Sequence, residues 1–120
     1  MKRASIALAI FLTACTSMQL VEVQDVDTLY FGMNRPGGVV SEAEWKTFVA
    51  EVIVPEFDGF TEWSATGHWK GNEEPSRVVQ IAHLARRGND ERILRIINEY
   101  KKRFDQEAVF WVRGQGLVSP

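Results

Sequence analysis

The residue types that can perform acid–base chemistry meet at one turn between two predicted strands. His68 lies in the run Gly67-His68-Trp69, and Glu74 follows after a short turn. An imidazole beside a carboxylate can act as a general base, because the carboxylate fixes the imidazole tautomer and stabilises its cation. In that interpretation Arg103 stabilises the negative charge that develops on the substrate. The alternative is a solvent-facing His68 and a Glu74 that accepts hydrogen bonds from the turn amides.

A second set of side chains predicts a ligand cleft instead of a catalytic site. Aromatic walls with a few polar groups are typical of small-molecule sites, and the candidates here are Tyr30, Trp69, Arg103 and Gln106. The alternative for Arg103 is a surface ion pair with Glu107, four residues further along the chain. The spacing leaves both interpretations open.

The sequence indicates neither a metal site nor a cofactor. Its two histidines, His68 and His83, are 15 residues apart on different predicted strands, and its one cysteine is Cys15 near the N-terminus. Zinc sites combine several such ligands at short, regular spacings. The sequence also has no glycine pattern of a phosphate-binding loop and no serine in a nucleophile elbow.

The N-terminal residues follow the order of a bacterial lipoprotein signal. Lys2 and Arg3 precede the apolar segment 4–12, and the run Leu12-Thr13-Ala14-Cys15 follows. We expect residues 1–14 to be removed and Cys15 to carry the lipid, with palmitate among its acyl chains. The apolar segment is too short for a transmembrane helix, which needs roughly 20 residues. The alternative is an ordinary secretory peptide with an incidental cysteine.

Two further observations bear on location and partners. Thr16 follows the cysteine, where an aspartate commonly holds bacterial lipoproteins at the inner membrane, so we expect the outer membrane and a domain that faces the periplasm. Removal of the leader takes two of the 14 basic residues and leaves 12 against 16 acidic ones, a net charge of −4. Nucleic-acid-binding proteins usually carry a basic stripe, so we expect a membrane contact through the lipid and no nucleic acid.

The order of the predicted elements indicates an α+β fold. Hydrophobic periodicity predicts strands over 26–31, 60–70, 76–84 and 108–112, with helices between Ser41 and Pro55 and from Gly88 to Phe104. Ser41 and Glu44 match a capping box at the first helix. Two right-handed strand–helix–strand units of this kind predict a ferredoxin-like βαββαβ sandwich, a four-stranded antiparallel sheet with two helices on one face. We divide the chain into a signal peptide (1–14), a lipidated cysteine and tether (15–25), the ferredoxin-like domain (26–113) and a flexible tail (114–120).

The predicted sheet carries large residues on both faces. Tyr30 and Phe31 point in opposite directions, as do Phe110 and Trp111. A monomer rarely exposes more than a few hundred Å² of contiguous apolar surface. We therefore expect the face without helices to be covered by a second copy of the chain, an envelope protein, a ligand or the chain's own loops.

Several runs of residues, in order over most of 29–110, carry a resemblance to a known family. They are Leu29-Tyr30-Phe31-Gly32, Gly38-Val39-Val40-Ser41, Glu44-Trp45, Val54-Pro55-Glu56-Phe57, Gly59-Phe60-Thr61, Gly67 with Trp69, Glu74-Pro75-Ser76, and Tyr100 through Arg103-Phe104 to Gln106-Glu107. The sequence resembles domain-of-unknown-function family 3574, small bacterial proteins that include many with lipoprotein signals. The family tends to have arginine where this chain has Glu56, so an anion-binding role of that arginine would be absent here. The resemblance implies no established activity.

Together these features predict a bacterial envelope lipoprotein that acts as a binding or protein-interaction module rather than as an enzyme. The alternative is a small exported enzyme of the dimeric α/β-barrel type that acts on an apolar ring compound. In that alternative His68 is the base, Glu74 orients it, and Arg103 stabilises negative charge.

Overall fold

The computed structural model describes residues 9–10 and 21–119. The elements in chain order are β1 (Glu22–Gly32), β2 (Asn34–Arg35), β3 (Gly38–Val39), α1 (Glu42–Phe48), a π-helical segment (Val49–Ile53), β4 (Thr61–Trp69), β5 (Asn72–His83), α2 (Asn89–Arg103) and β6 (Phe110–Val118). The predicted signal peptide and the lipidation site at Cys15 lie outside the described residues, apart from the two residues at 9–10.

The four long strands form one antiparallel sheet in the order β4-β5-β1-β6. The two central strands are β5 and β1, and β2 pairs with β3 in a separate small hairpin. With α1 between β1 and β4 and α2 between β5 and β6, this is the ferredoxin-like βαββαβ arrangement that the sequence predicts.

The first helix begins at the predicted capping box. Glu44 N donates to Ser41 Oγ at 3.1 Å, and Ser41 N donates to Glu44 Oε1 at 3.2 Å, so two of the free amides at the helix start are satisfied. The helix then widens into the π-helical segment before Pro55. Val54, the residue before Pro55, keeps helical dihedral angles (φ −54°, ψ −41°), so the helix ends because Pro55 has no N–H to continue the hydrogen-bond pattern.

The second helix begins at Gly88, as predicted. Gly88 is the N-cap, with φ at 93°, a left-handed conformation that glycine adopts without steric cost, and it provides no side-chain cap. Asn89, the first residue of the helix, directs its amide to Leu84 O, at 2.7 Å. Acidic residues in the first turn, and basic ones in the last, complement the helix dipole.

Both helices cover the same face of the sheet, as predicted. The strand residues Leu29, Phe31, Val79 and Ile81 are fully buried there, against residues of both helices that include Trp45, Phe48, Ile93, Ile96 and Tyr100. The ring of Phe31 lies 4.7 Å from that of Tyr100 and 5.3 Å from that of Trp45, measured between centroids. Edge-to-face aromatic contacts of this kind add to the area that the core buries.

The sheet is longer at one end than the sequence predicts. β1 begins at Glu22 within the predicted tether, and β6 continues to Val118 through the predicted flexible tail 114–120. The two extensions pair with each other, from Glu22↔Val118 to Val26↔Gly114. Neither segment has a strong strand pattern by itself, and the partner that stabilises each one is about ninety residues away in sequence, beyond the reach of a local periodicity argument.

Candidate functional site

One row of side chains crosses the uncovered face of the sheet from edge to edge. Trp63 pairs with Val78 across the β4–β5 ladder, and Tyr30 lies between Val78 and Phe110. The ring centroids of Tyr30 and Phe110 are 5.6 Å apart. Val78 is fully buried among its neighbours, whereas Trp63 and Tyr30 are each 41% exposed and Phe110 is 66% exposed. The row therefore presents three partly exposed aromatic rings to solvent.

The surface immediately around this row carries no charge. We call it the open face and define it by alternate positions of the four strands: Thr61, Trp63 and Ala65 of β4, Ser76, Val78, Gln80 and Ala82 of β5, Val26, Thr28, Tyr30 and Gly32 of β1, and Phe110, Val112 and Gly114 of β6. None of these side chains is charged at neutral pH, and the carboxylates that continue the same alternation, Glu22 of β1 and Glu74 of β5, lie beyond its border. Because 25% of the chain's residues are charged, this lack of charge is a local property of the open face.

The covered face holds a buried charge at one end of the sheet. Asp27 of β1 is 0% exposed. Its carboxylate accepts hydrogen bonds from Trp111 Nε1 at 2.7 Å, from Arg113 Nε at 2.9 Å and from His83 Nε2. We call Asp27, His83, Asn89, Trp111 and Arg113 the Asp27 cluster.

The cluster keeps the carboxylate of Asp27 ionised. Burial alone raises the pKa of Asp27, but the hydrogen bonds from Arg113, His83 and Trp111 outweigh it and hold the pKa below its ordinary value. Arg113 also donates to Asp90 Oδ1 at 2.6 Å, and its hydrogen bonds to Asp27 and Asp90 raise its own pKa. A charged group at this depth is stable only because donors surround it.

The contacts of His83 place a proton on Nε2. This nitrogen faces the carboxylate of Asp27, which can only accept. Its Nδ1 lies 2.9 Å from Asn89 Nδ2 and 3.1 Å from Leu84 O. The exposed edge of His83 borders a cavity of about 190 Å³, which we call the His83 cavity, lined by Phe57, Asp58, Gly59, Ala82, His83, Leu84, Arg86, Asn89 and Arg92.

A tight turn sets the register of the predicted catalytic pair. β4 and β5 are joined by the two residues Lys70 and Gly71, with φ of 49° and 79°, between the paired residues Trp69 and Asn72. Positive φ at both central positions is the property of the two-residue hairpin turns that match strand twist. The turn is therefore shorter than the predicted turn over 71–75.

This register separates His68 from Glu74. His68 is the partner of Glu73, whereas Glu74 is the partner of Gly67. Cross-strand partners share a face and neighbouring residues alternate, so the side chains of His68 and Glu74 point to opposite faces of the hairpin. Glu74 Oε1 instead accepts from Asn34 N at 3.1 Å. The structure does not bring the predicted base and its orienting carboxylate together.

Arg103 and Gln106 make structural contacts at the end of α2. Arg103 donates to Glu99 at 2.9 Å and to Glu51 at 2.7 Å, rather than pairing with Glu107, and these bonds raise its pKa. Gln106 Nε2 donates to Asn34 O at 2.6 Å.

The other two predicted ligand residues lie on the opposite side of the sheet. Tyr30 belongs to the open face, and Trp69 is 72% exposed at the tip of the β4–β5 hairpin. Arg103 belongs to a helix on the covered side. The structure therefore does not bring Tyr30, Trp69, Arg103 and Gln106 into one cleft.

The Asp27 cluster is the feature that the sequence analysis missed. One signal was present: Asp27 shares the strand alternation of Leu29 and Phe31, so a carboxylate falls at a core-facing position. A buried carboxylate requires donors, and Arg113 holds the corresponding position beside Trp111 on β6.

Within residues 9–10 and 21–119, no group of three or more His, Cys, Asp or Glu side chains is arranged to hold a metal ion. Over the same residues, no helix has both the length and the apolar character that a membrane crossing requires.

The fold is shared with solved structures of low sequence identity. A phage SAM lyase in its apo state matches with a TM-score of 0.54 and 10% identity, over 82% of this chain and 90% of that chain. A de novo designed protein, Foldit4, matches with a TM-score of 0.43 and 16% identity, over 78% and 97% of the two chains. A "PII-like signaling protein" from Thermus thermophilus matches with a TM-score of 0.42 and 18% identity, over 82% and 91%. At these identities the likeness concerns the fold alone.

The class defined by this fold is a single α+β domain of ferredoxin-like type. The family described as "protein of unknown function (DUF3574)" matches residues 26–119, so the chain belongs to domain-of-unknown-function family 3574, as its sequence motifs predict. No curated protein matches the chain.

Proposed function

We propose that this protein is a lipid-anchored interaction module of the bacterial cell envelope, which faces the periplasm and binds a second copy of itself through the open face. The observation that supports the proposal is the exposed row of Trp63, Tyr30 and Phe110, with no charged side chain among the residues that define the open face. Enrichment in aromatic residues and depletion of charge are the compositional features of an interface core.

The dimensions of the open face suit sheet-on-sheet packing. Four strands at ~4.8 Å spacing, with about seven residues each at ~3.3 Å, give a projected area of roughly 400 Å². A standard interface buries about 800 Å² of accessible surface on each partner. The accessible area of a surface exceeds its projected area, so the whole open face can approach the accessible area of a standard interface. The aromatic row alone is too small.

The absence of charge favours a second copy as the occupant. In a two-fold interface the same patch meets itself, so any charge near its centre meets a like charge. Like-charge contacts across an interface cost several kcal/mol. The open face is free of this cost, and it has no charge with which to select an oppositely charged partner.

Cross-linking in intact cells tests the proposed dimer. In cells that express the full chain, a lysine-reactive cross-linker should give a band of twice the monomer mass. Phe110→Glu introduces a charge at an exposed position of the open face and should abolish that band. The matched control is Leu94→Glu, which changes a 44% exposed residue on α2 and should keep it. A monomer band alone for the unmodified chain would overturn the proposal, as would a band of another mass that Phe110→Glu removes.

The anchor has its own test. Cells grown with a palmitate analogue should label the full chain, and Cys15→Ser should remove the label and release the protein from the membrane fraction, because acyl chains contribute ~0.8 kcal/mol per buried methylene. Label in the Cys15→Ser variant would contradict the proposed site. Separation of the two membranes by density then tests the outer-membrane location.

A further inference from the structure

The His83 cavity lies at the end of the sheet, where two loops and the first turns of α2 meet. Phe57 and Gly59 belong to the segment that follows the first helix, Leu84 follows β5, and Asn89 and Arg92 lie in the first turns of α2. Its volume of about 190 Å³ corresponds to roughly six water molecules at ~30 Å³ each. The cavity therefore suits a ligand of a few heavy atoms.

Arg92 is held rigidly in the cavity wall. Its Nε donates to Glu56 at 3.3 Å and its Nη1 donates to Asn89 Oδ1 at 3.3 Å. The guanidinium carbon lies 4.4 Å from the ring centroid of Phe57. No hydrogen bond from Nη2 to another of the residues 21–119 is formed, so this part of a fixed guanidinium remains available to a ligand.

Arg86 provides the second positive charge. It lines the cavity from the loop before α2, is exposed, and forms no ion pair within residues 21–119. The one acidic side chain of the lining is Asp58, which is exposed. The lining therefore holds two arginines against one aspartate, an excess of positive charge.

The remaining polar groups of the lining are already satisfied. Asn89 Nδ2 donates to Leu84 O and lies 2.9 Å from His83 Nδ1, and its Oδ1 accepts from Arg92. The proton on His83 Nε2 is directed to Asp27. The Asp27 cluster thus holds Asn89 in place, and Asn89 in turn holds Arg92. The donors that remain for a ligand are the guanidinium groups of Arg86 and Arg92. The rest of the wall is apolar, from Phe57, Ala82 and Leu84.

We propose that the His83 cavity binds a small carboxylate with a short apolar body. The carboxylate lies between Arg86 and Arg92, and the apolar body lies against Phe57 and Leu84. A guanidinium presents paired donors that match the two oxygens of a carboxylate. An inorganic phosphate offers the same charge but no apolar body, which separates the two anions experimentally.

The experiment is a titration followed by amide NMR on protein purified from cells that express the full chain. Butyrate is the probe, with butyramide as its uncharged isostere and inorganic phosphate as the second anion, all at low and constant ionic strength because salt screens exposed charges. We expect butyrate to shift the Gly59 amide saturably and to leave the indole N–H of Trp63, on the open face, unchanged. Butyramide should give no saturable shift, and phosphate should bind more weakly than butyrate.

Three variants should change butyrate affinity according to the charge that each one removes. A purely structural role of these residues would not give this pattern. Arg86→Gln should weaken butyrate binding about tenfold, the loss expected for one charge-assisted hydrogen bond. Arg87→Gln makes the same change one residue away, outside the cavity lining, and should leave the affinity within about twofold, as exposed charges do. Asp58→Asn removes the opposing charge and should tighten binding.

Four results would overturn the proposal. They are the absence of a saturable shift at Gly59, equal binding of butyramide, phosphate binding as tight as that of butyrate, or an equal loss for Arg86→Gln and Arg87→Gln. The dispersion of the amide spectrum verifies that each variant is folded. The cavity and the open face share only Ala82, and Arg86→Gln and Phe110→Glu change other residues, so butyrate binding and the proposed dimer are tested independently.

Discussion

The two faces of the sheet distribute charge in opposite ways. On the covered face, Asp27 is fully buried and ionised and is surrounded by donors from His83, Trp111 and Arg113. On the open face, aromatic rings are exposed and charge is absent. Soluble domains usually place charge outside and aromatic rings inside. Each face therefore departs from the arrangement that folding alone requires. The departure on the covered face lies beside the proposed carboxylate site, and the departure on the open face lies at the proposed dimer interface.

Neither departure favours the isolated monomer. A buried ion pair is often no more stable than apolar residues of similar volume, and an exposed aromatic row leaves apolar area in contact with water. The covered face offsets its buried charge with a continuous aromatic core around Phe31, Trp45 and Tyr100. The open face has no such compensation within the described residues, so it has the greater need of a partner.

The largest expected contrast is between neighbouring residues of β1. Phe31→Ala should lower the free energy of unfolding by about 4 kcal/mol, because it leaves a cavity among packed rings. Tyr30→Ala should lower it by about 1 kcal/mol, because a half-exposed side chain loses only part of its burial. Urea unfolding in the Phe110→Glu background, where no dimer is expected, measures both. Equal losses would mean that the chain itself covers Tyr30.

A slightly smaller effect is expected at the buried charge. Asp27→Ala should lower the free energy of unfolding by about 3 kcal/mol, since it leaves His83 Nε2 and Trp111 without their acceptor and Arg113 with Asp90 alone. This value is at the low end of the range of stability losses for a broken buried ion pair. The reason is that the side chain of Arg113 is 36% exposed and can form hydrogen bonds to water instead. Asp25→Ala is the matched control, two residues away and without an ion pair within residues 21–119, and should change stability by less than about 0.5 kcal/mol. A loss for Asp27→Ala no greater than that of the control would exclude a stabilising role for the cluster.

The parts of the fold that were predictable depend on local chemistry. The capping box of Ser41 and Glu44, the stop at Pro55 and the alternation of Tyr30 with Phe31 are properties of short segments, and each was read correctly from sequence. The order of elements then limits the topology, since crossover handedness leaves few choices.

The parts that were missed depend on pairs distant in sequence. Asp27 meets His83 and Arg113 only through the register of three strands, and periodicity does not specify register. For the same reason the separation of His68 from Glu74 follows from a two-residue turn, where shifting the register by one residue reverses the faces. The extension of β6 to Val118 likewise needs its partner at Glu22.

The smallest expected effect is on the loss of stability in acid. It distinguishes the two faces because only the covered face contains a buried carboxylate. The pKa of Asp27 is lower in the folded than in the unfolded state, so the folded protein binds fewer protons and acid favours unfolding. The stabilisation is complete well above the ordinary pKa of ~3.9 and is lost as the pH falls through that value toward the folded pKa. Unfolding by urea at stepwise lower pH should therefore show a shallower loss of stability for Asp27→Asn than for the unmodified chain.

The slope should be reduced and not abolished, because the pKa values of Glu44, Glu56 and Glu99 are also lowered by their arginine partners. Tyr30→Ala is the control from the open face and should leave the acid slope unchanged, since none of the residues that define that face has a carboxyl group. An unchanged slope for Asp27→Asn would mean that Asp27 titrates alike in the folded and unfolded states, and the contrast between a charged covered face and an uncharged open face would lose its electrostatic basis.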